Sequence, residues 1–265
     1  DNNKYKFKLT PNTSGTNQIS ITNAKDINNF IYSLFTSANS VFNYVLTLPN
    51  RKFWVDSKDA TRFSLSGSNV TQITDSISSQ TTGSISGFTY DSVNKFLVSN
   101  TTDAVFTIGS IVGNYSVSVL LKCGVNASFG YMFGLFLQGG LQDGDLESYH
   151  TTDSELGVYP GMAFTMTGVT PSTWITGSYY NITVTRENNN MKYYINGVLI
   201  KTLLSGENPQ IPDATPFDRL VLNSYKQNGT IPNSGSYLDI SIFNGVLSPT
   251  TVSGYYDSLR TKWSV

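Results

Sequence analysis

The stretch from Ser178 to Leu204, reading SYYNITVTRENNNMKYYINGVLIKTLL, limits what this chain can fold into more than any other. Tyr180, Ile182 and Val184 alternate with Asn181, Thr183 and Thr185, the two-residue period of a strand buried on one face. Asn188, Asn189 and Asn190 break the alternation. Asparagine tolerates positive φ and bonds to its own backbone, so the run reads as a hairpin loop. A second strand starts at Met191, with Met191, Tyr193 and Ile195 on one face, and stops at Asn196-Gly197, the strongest short hairpin signal. A third runs from Val198 to Leu203. Three strands joined by two tight turns make an antiparallel meander, with Ile182, Val184, Tyr193 and Ile195 expected in the core.

Short strands continue on both sides. Phe88 to Ser99, Asp103 to Ile108, Tyr115 to Cys123, Gly157 to Thr167 and Phe217 to Tyr225 have strand composition between Gly-rich turns, which points to a sandwich rather than a βα alternation. Tyr131 to Leu137 is apolar on both faces and is expected as a central strand. In Tyr237 to Phe243, Leu238, Ile240 and Ile242 are expected to face one way and Asp239 and Ser241 the other. Gly139 to Glu155 is the most irregular stretch.

Two segments change period. Ile27, Phe30, Ile31, Leu34, Phe35 and Ala38 have the spacing of an amphipathic helix, preceded by a short Tyr5, Phe7, Leu9 strand whose Lys4, Lys6 and Lys8 guard its outer face. At the other end, Ser248 caps and Pro249 opens a helix to about residue 260, with Val252, Tyr255, Tyr256 and Leu259 as its apolar stripe. Residues 1–48 therefore read as an attachment or assembly segment and 49–265 as the sandwich.

Composition excludes several function classes. Lys plus Arg number 17 against 18 acidic residues, so no net field draws the chain to nucleic acid. No run of apolar residues is long enough to insert in a membrane. Only 13% of residues are charged, about half the usual share, as in strand-rich extracellular or virion proteins. Cys123 is the only cysteine and reads as a buried core thiol, while His150 is the only histidine, so thiolate zinc clusters are ruled out and a Cys-His pair has no supporting spacing. Asn-x-Ser/Thr sequons occur at Asn12, Asn69, Asn100, Asn114, Asn126, Asn181 and Asn228, a number that chance placement gives in a chain this rich in those residues.

Three matches in order carry a family resemblance. Trp54-Val55-Asp56, Asp59-Ala60, Leu65-Ser66-Gly67-Ser68-Asn69-Val70 and Asp75 resemble the opening of laminin-G-like modules in bacterial and phage surface proteins, though Ile73-Thr74 stands where a Trp is usual. Thr185-Arg186 followed by Tyr194-Ile195-Asn196-Gly197 resembles their central hairpin. Phe243-Asn244-Gly245-Val246-Leu247-Ser248 and the following helix resemble their close. The resemblance spans roughly 51 to 262. It implies an all-β, concanavalin-like (laminin-G-like) antiparallel β-sandwich jelly roll, with a short N-terminal helical segment and a C-terminal helix.

The residues that bear chemistry gather between Gly139 and Tyr159. Asp143, Asp145 and Glu147 fall at i, i+2 and i+4, so in a strand they would share a face. Asp153, Tyr149, His150 and Tyr159 complete a rim loop in which carboxylates accept sugar hydroxyls and an aromatic face meets the sugar's C–H surface. Asp143, Asp145 and Glu147 also suit calcium, which prefers several hard oxygens on a flexible loop and which laminin-G-like domains often carry. The leading expectation is a non-enzymatic domain binding a cell-surface glycan or receptor, on a virion spike or fibre or a bacterial adhesin, at the virion surface or outside the cell. Fibre proteins of this kind are usually trimers, so a homotrimer contacting other virion or fibre proteins is expected. Two other classes share these features. One is a laminarinase-like glycan hydrolase with Asp143 as nucleophile and Glu147 as acid/base, and the other a purely structural capsid or fibre domain.

Overall fold

The computed structural model describes residues 48, 51–79, 85, 87–99, 104–124, 130–136, 146–150, 156–159, 165–169, 175–188, 190–204, 217–223 and 235–265, with the backbone alone described at 104, 130, 131, 147, 149, 150, 156–159 and 165–169. The N-terminal strand and helix expected before Leu48 lie outside these residues, as do Asn189 and four of the sequons, at Asn12, Asn100, Asn126 and Asn228.

The described strands form two antiparallel sheets. One has ten strands: β1 (Arg51–Asp56), β2 (Phe63–Ser66), β3 (Asn69–Ile73), β4 (Phe88–Asp91), β5 (Phe96–Ser99), β7 (Tyr115–Cys123), β12 (Tyr179–Glu187), β13 (Asn190–Ile195), β14 (Val198–Leu203) and β16 (Gly235–Phe243). Its order is β14-β13-β12-β7-β16-β5-β4-β3-β2, with β1 also on β16. The second has six: β6 (Ala104–Ile111), β8 (Gly130–Phe136), β9 (Leu146–His150), β10 (Leu156–Tyr159), β11 (Thr165–Val169) and β15 (Phe217–Leu222), ordered β11-β10-β9-β8-β15-β6. One helix, α1 (Pro249–Trp263), follows the last strand.

The meander forms as its residues dictate. Asn196 and Gly197 take φ of 50° and 77°, the left-handed pair that a type I′ hairpin requires, and Asn188 at 53° turns β12 into β13. Ile182, Val184, Tyr193 and Ile195 are buried in the core between the sheets. That core runs from Phe53 and Val55 through Val117, Val119 and Leu121 to Leu220, Leu222, Ile240 and Ile242. Cys123 is buried there as a free thiol.

The sequence reading of β12 as buried on one face needs correction. Asn181, Thr183 and Thr185 are buried too, because α1 lies across the outer face of the ten-stranded sheet. Val252, Tyr255, Leu259 and Trp263 of α1 pack there on Leu120, Tyr194, Leu238 and Phe243, joined by Leu48. Leu238 belongs to this second cluster and not with Ile240 and Ile242. A register shift between Tyr237 and Asp239 inserts one residue into β16 and turns Leu238 outward beneath the helix. α1 opens as expected, the Ser248 side chain accepting from the Thr251 N–H and Pro249 following in the first turn, and it runs three residues further, to Trp263.

Two sets of polar groups beneath α1 satisfy one another. Asn181 and Thr183 each donate to Ser118 Oγ at 2.9 Å, which fixes Asn181 as a core residue rather than a glycan acceptor. Asp239, 1% exposed, accepts from Trp54 Nε1 (3.0 Å), Tyr255 Oη (2.9 Å) and Lys262 Nζ (3.1 Å). Lys262 reaches Asp56 as well, at 2.9 Å. Asp75 accepts the backbone N–H of Trp54 and of Ile77, tying the start of the sandwich to the loop after β3. The Trp-x-Asp opening and the closing Asp are thus structural residues, and Trp54 anchors both.

Candidate functional site

β9 decides where the sequence-predicted site residues stand. Leu146 is fully buried in the core, and Ser148 Oγ lies 3.0 Å from Tyr193 Oη between the sheets. Successive strand residues alternate faces, so Glu147 and Tyr149 take positions on the outer face of the six-stranded sheet. Glu147 is opposite Gly134 on β8 and Tyr159 on β10, while Tyr149 is opposite Tyr131 and Gly157. Glu147, Tyr149 and Tyr159 are therefore neighbours on one face. His150 has the other parity, opposite Gly130 and Leu156 at the end of β9.

This corrects the expectation of a rim loop from Gly139 to Tyr159. Its residues 146–150 and 156–159 are strands, and the two-residue spacing of its polar groups is the outward set of β9. Gly157 to Thr167 likewise resolves into the separate β10 and β11. Asp143, Asp145 and Asp153 lie outside the described residues, so the proposed nucleophile and two of the three calcium carboxylates have no described position. Glu147, the third, sits mid-strand with ladders on both sides. Its register neighbours, Gly134 and Tyr159, bring no second carboxylate. Among the described residues no three His, Cys, Asp or Glu groups converge as metal ligands.

Sequence reasoning missed the residues beside Glu147. Phe136 shares its face, and its ring lies over Gly134: a Cβ on Gly134 would stand 2.5 Å from a ring carbon of Phe136 and 3.3 Å from the Leu146 carbonyl oxygen. Arg219 is opposite Phe136 on β15, its guanidinium 3.3 Å from the Asp218 carboxylate and donating to the Asp218 carbonyl at 3.0 Å. Val221, opposite Gly134, is fully buried. The outward row thus reads Tyr159, Glu147, Gly134, Val221 across four strands. The available signal was Gly134 within the apolar run YMFGLFL, a missing side chain on a strand that has no need of a bend.

The face thus carries tyrosine positions, one carboxylate position and one guanidinium held by Asp218, residue types that suit a polyhydroxylated ligand, with Phe136 buried at its β8 side. The burial of Ser148 and Tyr193 between the sheets pushes the Tyr193 phenol well above its ordinary value, with the Ser148 hydrogen bond acting against that shift, so Tyr193 stays neutral and fixes β9 against β13.

Residues 94–253, well over half the chain, match the family described as the concanavalin A-like lectin/glucanases superfamily, and the chain belongs to that family. No curated protein matches the sequence. Among solved structures, a Trypanosoma rangeli sialidase in complex with sialic acid is similar with a TM-score of 0.60 at 13% identity, covering 82% of this chain and 34% of its own. Another Trypanosoma rangeli sialidase structure gives 0.61 at 12% identity, with 88% and 39% covered. A Ruminococcus gnavus sialidase CBM40 bound to α2,3-sialyllactose gives 0.45 at 16% identity, with 58% and 98% covered. This chain spans about a third of the length of the trypanosomal sialidases, and at such identity the likeness is one of fold.

The trypanosomal neighbours overturn the expectation that the chain has no enzymatic role. They are sialidases, which are enzymes, and they align over most of this chain. The non-enzymatic expectation was drawn from this one module. A module of this fold occurs within longer enzymes, so its own residues exclude nothing.

Proposed function

We propose that this sandwich is a glycan-binding domain and that its ligand lies on the outer face of the six-stranded sheet, over β8, β9 and β10. The observation that carries the reading is the register of β9. Glu147 and Tyr149, its two outward positions, each pair with a tyrosine on one side, Tyr159 and Tyr131, and a glycine on the other, Gly134 beneath the Phe136 ring and Gly157, which gathers ring-bearing positions around the carboxylate position. Family membership supports it, since the family is one of lectins and glucanases, and so does a neighbour crystallised with sialic acid. Asp143, Asp145 and Asp153 flank β9 in sequence and extend the acceptor set; with Glu147, the first two are the candidates for calcium. In the chain's biological setting we place this domain outside the cell, on a virion spike, fibre or adhesin whose trimeric assembly multiplies a weak site, or within a longer glycan-processing protein.

The test is a glycan array probed with the full chain, followed by titration of the strongest ligand against Tyr149→Ala and Glu147→Gln. Each variant should weaken binding at least about tenfold, the cost of one lost ring stack or charged hydrogen bond. The melting temperature should stay within a degree or two, because neither residue is on the core side of β9. Unchanged affinity in both variants would move the site off this face.

A further inference from the structure

A bulge in β1 turns one cation onto the outer face of the ten-stranded sheet. Arg51 is opposite Phe243 and Phe53 opposite Ile242, so one residue is inserted between them, and Arg51 leaves the core side of Phe53 and Val55 and joins Trp54 on the other. Its guanidinium carbon stands 4.6 Å from the Trp54 ring centroid, 5.3 Å from that of Phe243 and 5.4 Å from that of Tyr255. Three rings hold the cation in place. Arg51 nevertheless has no anion: its Nε is buried with no acceptor, and every ion pair among the described residues joins other groups. Lys262, 5.3 Å from the same Trp54 ring, is taken by Asp56 and Asp239. A guanidinium carries its donors in a planar fork that matches a carboxylate, and with Nε closed off the two Nη groups are the edge this one presents.

We propose that Arg51, on its floor of Trp54, Phe243 and Tyr255, is a subsite for the carboxylate of an acidic sugar, on the outer face of the sheet that does not contain β9. The rings fix the guanidinium before any ligand arrives, so little side-chain freedom is lost when the fork closes on its partner. One free cation, with Lys262 already occupied, balances the single charge of a carboxylate and not the two that a phosphate ester approaches. That the carboxylate belongs to a sugar rests on the reading of the domain as glycan-binding; the fork itself owes nothing to the β9 face.

Titration of the full chain with glucuronate, followed on the NMR signals of the Arg51 Nε–H and the Trp54 Nε1–H, tests the proposal. Both signals should shift saturably with glucuronate and stay in place with glucose, or with sodium chloride at equal ionic strength. Arg51→Lys keeps a cation over the rings but loses the fork, and should weaken binding, read at the Trp54 signal, by about tenfold or more. Tyr149→Ala should leave the Arg51 response unchanged, which separates this subsite from the β9 face. No saturable shift, or one that sodium chloride reproduces, overturns the proposal. Loss of the response in Tyr149→Ala overturns it too, because the shift would then be a remote consequence of binding at β9. Equal affinity for acetate and glucuronate overturns the assignment to a sugar.

Discussion

The two sheets treat their outer faces in opposite ways. Beneath α1 the ten-stranded sheet carries a closed polar set, with Ser118, Asn181 and Thr183 bonded together and Asp239 shared by Trp54, Tyr255 and Lys262. On the six-stranded sheet the outward positions of β9 are a carboxylate and a ring, each beside a glycine. A polar group under a helix must find its partner inside the protein, so it is spent on structure; on the six-stranded sheet the β8–β15 side is closed by the Phe136 ring over Gly134 and by buried Val221, and the proposed ligand lies toward β9 and β10. Similar residue types therefore do different work, and what separates them is what lies on top.

The sharpest way to break that contrast is to remove the centre of the covered set. Asp239→Ala leaves Lys262, the Trp54 indole and the Tyr255 hydroxyl without their shared acceptor in a buried place, and a loss of about 3 to 5 kcal/mol is expected in urea denaturation. Binding by whatever fraction stays folded should be unchanged. A loss below about 1 kcal/mol would mean the set is wetter than its burial indicates.

Next in size is the contact between hairpin and helix. Gly197 has φ of 77°, and a Cβ there would stand 3.1 Å from Ser253 Cα and 3.2 Å from Tyr256 Cβ. Gly197→Ala is strained by its backbone and forces α1 to shift, so about 1 to 3 kcal/mol should be lost. Hydrogen exchange should quicken in α1 and β14 and stay as it was in β9.

The meander and the C-terminal cap were legible because local rules fix them: Asn-Gly sets its own turn, and Ser248-Pro249 opens a helix without help from elsewhere. Two facts about the same strands were not. That β12 is buried on both faces depends on where a helix about 60 residues later comes to rest. That Leu238 faces α1 depends on a bulge, and a bulge reads in sequence as continued alternation. For the site, the residue types were legible but their setting was not. Glu147, Tyr149 and Tyr159 were named from composition, yet they read as a loop because the glycines around them suggested turns. Their meeting on one face follows from the pairing of β9 with β8 and β10, a long-range register that no local pattern encodes.

A smaller effect tests whether the helix is held by its start or by its floor. Ser248→Ala removes the cap that accepts the Thr251 N–H, at about 1 kcal/mol. If the covered face holds α1, this loss should leave the Asp239 set intact and slow to exchange.

The smallest expected effect concerns Asp56, the second partner of Lys262. Burial raises its carboxyl above the ordinary value of 3.8, the nearby Lys262 opposes that shift, and Asp239 adds to it. The folded chain therefore holds this proton more firmly than the unfolded one, and stability falls as pH rises from 3.8 through the raised folded value. Asp91 works in the other direction. Its side-chain bond to Asn94, with the backbone N–H of Asn94 and Val93, holds its carboxyl below 3.8, so its contribution is full above that pH and is lost as pH falls through the folded value. At pH 7 Asp56→Asn should leave the melting temperature level or slightly raised, since Lys262 keeps Asp239 at 3.1 Å. Asp91→Asn should lower it. The Asp56 difference should close on acidification to about pH 3, and the Asp91 difference only further down, as pH falls through its lowered folded value. If Asp56→Asn instead costs as much as Asp239→Ala at pH 7, the half-buried Asp56 ion pair holds the end of α1 as firmly as the buried Asp239 set does, and burial under the helix is not what sets the two apart.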